Sequence, residues 1–318
     1  MTRYLVSRLI ESVLVLLVMS AIIYGLIGLM PGDPIDLMAA SNPTFTAADV
    51  ERLRALYGLD TPLWQRYLNW LWSALHLDFG YSRQTQTPAL TVMMPALQHT
   101  LVLAGLAFLL AVTLALTLGV IAALKQRTGI DSVINFFAFA GISVPVFWCA
   151  LMLIIVFAVQ LKWLPASGMY TIGAPREFWD TARYMVLPVI TLTLAYTGGF
   201  TRYTRSSMVE VLRMDYIRTA RAKGVPPRRM VIRHALRNAL IPVVTVMALS
   251  FGTLLSGALI TETMFAQRGL GKLIYDSILN NDYNMALMCL LFATAVTLVC
   301  NLVADLCYAW LDPRISIR

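Results

Sequence analysis

The sequence predicts an all-α membrane protein with six transmembrane helices, and three observations predict it. Of its 318 residues, 58% are hydrophobic and only 13% charged, about half the charged share of an ordinary soluble domain. Six apolar runs, at 9–30, 100–124, 133–161, 186–203, 239–260 and 285–310, match the roughly 20 residues that a helix needs to cross a bilayer core about 30 Å thick. The Lys and Arg residues also crowd into alternate connecting segments, as the orientation of multi-pass proteins requires.

Taken in order, the first run is long enough to span and lacks a small-residue cleavage site, so it is expected to remain as a helix. The segment that follows, 31–99, is too long for a plain connector and carries its own helical signals. Thr46 and Asp49 are spaced as a capping box, after which Val50, Leu53 and Tyr57 recur at helical spacing until Gly58. A second helix is expected from Pro62. Trp64, Leu68, Leu71, Trp72 and Leu75 give it an apolar face, and with Tyr67 and Trp70 it is placed for the headgroup layer. In the fourth run Pro188, Gly198 and Gly199 interrupt the pattern, which nevertheless continues toward Leu212 and predicts a kinked helix that protrudes beyond the bilayer. Pro145, Pro188 and Pro242 are expected to tilt or kink their spans. The segments 162–185 and 263–284 contain Gly and Pro turns, with a short helix expected over 271–279.

Six spans put both termini on one side. Sixteen of the 25 Lys and Arg residues fall on the side of the termini and nine on the other, so the termini are predicted to be cytoplasmic. That orientation places a basic stretch, 215–242, in the cytoplasm. It reads DYIRTARAKGVPPRRMVIRHALRNALIP. Ala220, Ala222 and Gly224 among Arg218, Arg221 and Lys223 permit close approach of a partner while guanidinium and ammonium groups reach for carboxylates. Gly224, Val225, Pro226 and Pro227 predict a sharp turn, a second helical run is expected from Arg228 to Arg237, and Pro242 marks entry into the next span.

The run ARAKG, continued by HALRNALIP, resembles the cytoplasmic loop of the membrane subunits of bacterial ABC importers for dipeptides, oligopeptides, glutathione and nickel. PGDP at 31–34 and DFGYS at 78–82 are similar to motifs of the same family and extend the likeness to nearly the whole chain. The resemblance implies a type I ABC importer permease fold, divided into a first helix with a long helical outer loop (1–99), a core of five helices (100–311) with the coupling loop at 204–238, and a cytoplasmic tail (312–318). It implies that Arg218, Thr219, Ala220, Arg221, Ala222, Lys223 and Gly224 form a coupling helix that docks on an ATPase subunit. The general pattern of such loops begins Glu-Ala-Ala, where this chain has Arg218, Thr219 and Ala220. The partners implied are a second homologous permease subunit, two ATPase subunits that use ATP and Mg, an extracytoplasmic solute-binding protein and the lipid of the bacterial inner membrane. The long outer loop then serves as a scaffold on the rim of the bundle or as a contact for the binding protein.

Other chemistry finds little support. GLGK at 269–272 is not a phosphate loop, because Ala266 stands where the motif needs Gly and Leu273 where it needs Ser or Thr. No ATP-binding motif is evident, so no catalytic residue and no cofactor are assigned to this chain. The four cysteines lie in apolar runs and none forms a CxxC pair, and the three histidines, His76, His99 and His234, are widely separated, so no metal site is expected. The net charge of +8 reflects membrane orientation rather than nucleic-acid binding. Ser250, Thr253 and Ser256 offer hydroxyls to a polar solute; with Gly252 and Gly257 they equally form a small-residue face for helix packing. The alternative from another class is a stand-alone secondary transporter or channel. It fits poorly, since Glu11 and Asp305 are the acidic residues within the spans, both near cytoplasmic ends.

Overall fold

The computed structural model of the chain describes residues 2–29, 46, 48–49, 51–52, 61–175 and 177–311. Among them the regular structure is helical: α1 (Thr2–Gly28), α2 (Leu63–Leu75), α3 (Ala89–Leu124), α4 (Gly129–Ser143), α5 (Val146–Leu153), α6 (Phe178–Leu212), α7 (Asp215–Ala222), α8 (Arg237–Met264), α9 (Leu270–Leu279) and α10 (Tyr283–Leu311). Five of the described helices are long and apolar enough to cross a membrane, or six if α4 and α5 with its extension count as one broken span. Contacts divide the chain into two compact units, one of residues 1–96 with 273–295 and one of 97–272 with 296–318.

In the first unit, α2 packs on α1 through aromatic rings. Tyr67 and Trp70 meet Tyr24 with centroids 5.6 and 5.8 Å apart, and the Tyr67 hydroxyl lies 2.8 Å from Ser20 Oγ. Tyr67 and Trp70 are therefore half-buried against α1. The expected apolar face is split, with Trp64, Leu68, Trp72 and Leu75 exposed. Asp282 pins the segment after α2 to the start of α10: it accepts from Ser82 Oγ at 2.6 Å and from the Gln84 N–H at 3.2 Å, and it accepts the Met285 N–H as a cap. The capping box at Thr46 and Asp49 is present with reciprocal bonds, Thr46 N–H to Asp49 Oδ2 at 3.0 Å and Asp49 N–H to Thr46 Oγ1 at 3.3 Å. The remainder of that expected helix, 53–58, lies outside the described residues, as do 31–34 and the tail 312–318.

The second unit is built along α3, whose buried small residues Ala104, Ala107, Ala111 and Ala115 recur about a turn apart and let neighbouring helices approach. Leu103 and Ala107 pack with Val189 and Leu192 of α6 and Ala258 of α8; two turns on, Ala111 and Ala115 pack with Phe200, Val243 and Met247. Gly119 and Gly198 allow the closest crossings. A Cβ on Gly119 would sit 2.6 Å from Thr204 Cβ, and one on Gly198 would run into the Ala138 carbonyl of α4.

The prolines behave differently from one another. At Pro145 the third apolar run breaks into α4 and α5, which meet at 104°, because Val144 before the proline takes an extended conformation (φ −82°, ψ 122°) that a helix cannot continue. Pro188 and Pro242 lie inside continuous α6 and α8. The helix α3 begins at Ala89, eleven residues before the expected start at 100, and so takes in His99.

Candidate functional site

The basic segment forms as helix, turn and helix. Asp215 in the first turn and Arg221 in the last complement the dipole of α7. Its single buried side chain, Ile217, is clasped by Ala123, Met208, Met230, Ala235 and Ala239, so the helix is held to the ends of α3, α6 and α8 by one apolar spine. Its other face is open. Arg218, Thr219, Arg221, Ala222, Lys223 and Gly224 are exposed and Ala220 is half-buried. Thr219 Oγ1 donates to the Asp215 carbonyl at 3.0 Å, and Arg218 makes a 3.5 Å contact with Asp215 that is exposed on both sides. Among the described residues neither Arg221 nor Lys223 has an ion-pair partner.

Gly224 ends α7 in the left-handed region, at φ +76°. The Val225 N–H bonds to the Ala220 carbonyl and the Gly224 N–H to the Arg221 carbonyl, at 3.2 and 3.0 Å, which is the Schellman closure of a helix. A Cβ at Gly224 would meet nothing within 4 Å, so the requirement for glycine here comes from φ and not from crowding. Pro227 then opens the next helix at its first position. That helix does not start afresh at Pro242. Through a wider π-helical stretch, Met230–Leu236, it runs directly into α8.

A buried ion pair stands at the same end of the bundle. Arg205 of α6 bonds both oxygens of Asp131, Nε to Oδ1 at 2.6 Å and Nη2 to Oδ2 at 2.8 Å. Asp131 also accepts from the Arg127 N–H at 2.9 Å and from Asn135 Nδ2 at 2.6 Å. The pairing is bidentate and satisfies the carboxylate fully. Sequence reasoning missed it, because the partners are 74 residues apart and no local spacing signals the contact.

Between α4, α6 and α8 lies a cavity of about 730 Å³, with Asn135, Phe139, Tyr196, Arg202, Tyr203, Ser206 and Ser250 among its lining residues. Of the three hydroxyls expected to line a path, Ser250 is on this wall and donates to the Val246 carbonyl at 2.7 Å. Thr253 is exposed on α8 and donates to the Ser250 carbonyl at 2.8 Å. Ser256 lies on the same helix, but its side chain is outside the described ones. The Arg202 guanidinium stacks over the Phe139 ring at 4.3 Å.

Toward the far end of α8 is a second buried carboxylate, Glu262, also unanticipated. It accepts from Thr100 Oγ1 at 2.5 Å and from the Lys272 N–H at 2.9 Å, and Thr100 Oγ1 in turn accepts the Leu270 N–H at 2.7 Å. A Cβ on Gly269 would collide with this carboxyl. Burial pushes the Glu262 carboxyl above its ordinary range, and the Thr100 hydroxyl and the Lys272 and Gly271 amides oppose that shift in part. No three His, Cys, Asp or Glu side chains among the described residues are placed to hold a metal ion.

Comparison with known proteins fits this architecture. Residues 115–317 match the family described as binding-protein-dependent transport system inner membrane component, and residues 1–117 match its N-terminal companion. The chain is 37% identical to the oligopeptide transport system permease protein AppB of Bacillus subtilis, covering 99% of this chain and 100% of that one. It is 35% identical to the dipeptide transport system permease protein DppB of Escherichia coli K12, over 99% of each, and 39% identical to the di/tripeptide transport system permease protein DppB of Pseudomonas aeruginosa, over 92% of each. Among solved structures, the inward-facing MetNI methionine ABC transporter superposes with a TM-score of 0.59 at 15% identity, over 71% of this chain and 98% of that chain. The fold is thus the type I ABC importer permease fold. With both family matches joined end to end along it, the chain belongs to the inner-membrane components of binding-protein-dependent transport systems.

Proposed function

We propose that the chain is the membrane subunit of an ATP-driven importer that carries di- or oligopeptides across the bacterial inner membrane by alternating access. Its termini and the 204–238 coupling loop face the cytoplasm. ATP and Mg are used by two separate ATPase subunits, and this chain hydrolyses nothing itself. A second, homologous permease completes the pathway, and an extracytoplasmic binding protein delivers the solute. The exposed face 218–224 is the surface on which one ATPase docks, within a core of residues 100–311 that follows the first helix and its outer loop. The relatives named for oligopeptides, dipeptides and di/tripeptides support peptide as the solute class. Nickel and glutathione are the runners-up.

The observation that carries the reading is the combination at α7: one buried anchor, Ile217, and an exposed face that carries Arg221 and Lys223, without an ion-pair partner among the described residues, closed by a glycine at φ +76°. Such a helix is fixed to the bundle yet free on its outer side, which suits a part that transmits a push. The test is ATP-driven uptake of a labelled dipeptide into proteoliposomes that contain the whole complex. Gly224→Glu places a side chain at a left-handed position and at the docking surface, and is expected to abolish uptake while membrane insertion stays normal. Uptake at the wild-type rate by a well-inserted variant overturns docking at this face, and dipeptide uptake that continues without the ATPases overturns the importer itself.

A further inference from the structure

We propose that Arg202 is a carboxylate-recognition point within the cavity between α4, α6 and α8, and that it receives the C-terminal carboxylate of a peptide on its way through the protein. The proposal rests on the importer reading above and goes further, by naming a side chain that the solute touches.

Two arginines one turn apart on α6 are treated in opposite ways. Arg205 is neutralised by both oxygens of Asp131. Arg202 has no carboxylate partner among the described residues and is held only by the Phe139 ring under its guanidinium. Asp131 is not available to it, because Arg205, the Arg127 amide and Asn135 already engage its oxygens. No acidic side chain lines the cavity. Its wall therefore carries one uncompensated positive charge.

Stacking on a ring uses the face of a guanidinium and leaves its edge free, and the edge carries the fork of N–H donors that fits a carboxylate. Tyr203 and Ser206 stand beside Arg202 on the same lining, and neither hydroxyl bonds another described group. Together they offer one charged fork and two neutral donors, which is the arrangement that fixes an anionic end while a variable remainder stays unrecognised. A volume of about 730 Å³ lies within the range of small-ligand pockets and leaves room for more than one side-chain size. Arg202 is exposed, so an oxyanion entering the cavity can reach the free edge of its guanidinium. A lipid phosphate shares that chemistry, but a phosphate anchored to its bilayer gives no reason for a cavity of this size behind the arginine.

The test uses the whole complex in proteoliposomes, with Cys149, Cys289, Cys300 and Cys307 replaced by alanine and Ser206→Cys as reporter; Ser250→Cys, on the α8 wall, is a second. The probes are the anionic sulfonatoethyl and cationic trimethylammonioethyl methanethiosulfonates. Relative to a free thiol, the anionic reagent is expected to gain roughly tenfold over the cationic one, the size expected of one unit charge a few ångström away in a partly screened site. Arg202→Gln abolishes that preference and Arg202→Lys keeps it. L-alanyl-L-alanine at millimolar concentration slows labelling, whereas its C-terminal amide does not. A preference that survives Arg202→Gln, equal slowing by acid and amide, no slowing by the dipeptide (as when a lipid phosphate holds the site), or silence of both reporters overturns the proposal. Dipeptide uptake measured in parallel separates the two readings: uptake without protection sinks the recognition point alone, and protection by the acid without uptake sinks peptide import alone.

Discussion

Two buried carboxylates in the second unit meet the same problem in different ways. Asp131 is 8% exposed at the side chain and is answered by a full opposite charge in a bidentate pair. Glu262 has no exposed surface and is answered only by a hydroxyl and backbone amides. The first arrangement keeps its carboxylate ionised, because the Arg205 guanidinium holds the Asp131 carboxyl down to about 2. The second fastens the first turn of α9 to Thr100 within α3 through donors that carry no net charge, so burial pulls Glu262 toward its neutral form. One carboxylate is an electrostatic brace and the other a polar clasp, and they should fail differently.

The largest difference is expected when each loses its partner. Arg205→Ala leaves Asp131 without its matching charge and should cost about 3 kcal/mol, at the low end for a broken buried pair because a quarter of the Arg205 side chain is exposed. Thermal unfolding of the purified complex measures it, and a loss no larger than that of the double variant with Asp131→Asn would show that charge is not what matters there. Glu262→Ala should cost about 2 kcal/mol, since it orphans buried donors instead of a buried charge. Hydrogen exchange at the Leu270 and Lys272 amides should rise with it, while Glu262→Gln, which keeps an acceptor, should do less harm.

A pH series sharpens the contrast. Because folding raises the Glu262 value above the ordinary 4.5, the folded protein holds this proton to a higher pH than the unfolded chain does. Its contribution is then fully favourable below 4.5 and declines as pH rises toward the elevated value. Wild-type stability measured against Glu262→Gln should therefore fall through that window, and a difference that grows with pH would reverse the assignment. The smallest effect belongs to Arg221→Glu. Exposed charges contribute about 1 kcal/mol or less, so the fold should be unchanged while association with the ATPases, read by co-purification, weakens and becomes more sensitive to salt.

What could be read from the chain beforehand follows the same division between local and distant causes. Apolar runs of sufficient length located the spans, and the alternation of small and basic residues before Gly224 located the exposed face of α7. These are properties of neighbouring residues. The break at Pro145 and the continuity through Pro242 could not be told apart in that way, since each proline sits in an equally apolar run and packing decides the outcome. The brace and the clasp were invisible for a related reason: Asp131 meets Arg205 across 74 residues and Thr100 meets Glu262 across 162. Arg202 was counted only as one more positive charge on the inner side, because a lack of a carboxylate neighbour is a fact of three dimensions.

The unbroken passage from the wider turn at Met230–Leu236 into α8 has a mechanical consequence. Twenty-eight residues of helix from Arg237 to Met264 make a strut roughly 42 Å long, and Glu262 sits in its last turn. A push at the arginine-bearing end would pass along one continuous helix toward the Thr100–Glu262 clasp. Opening at the far face would then be timed by how firmly the Thr100 hydroxyl and the Lys272 amide together hold Glu262.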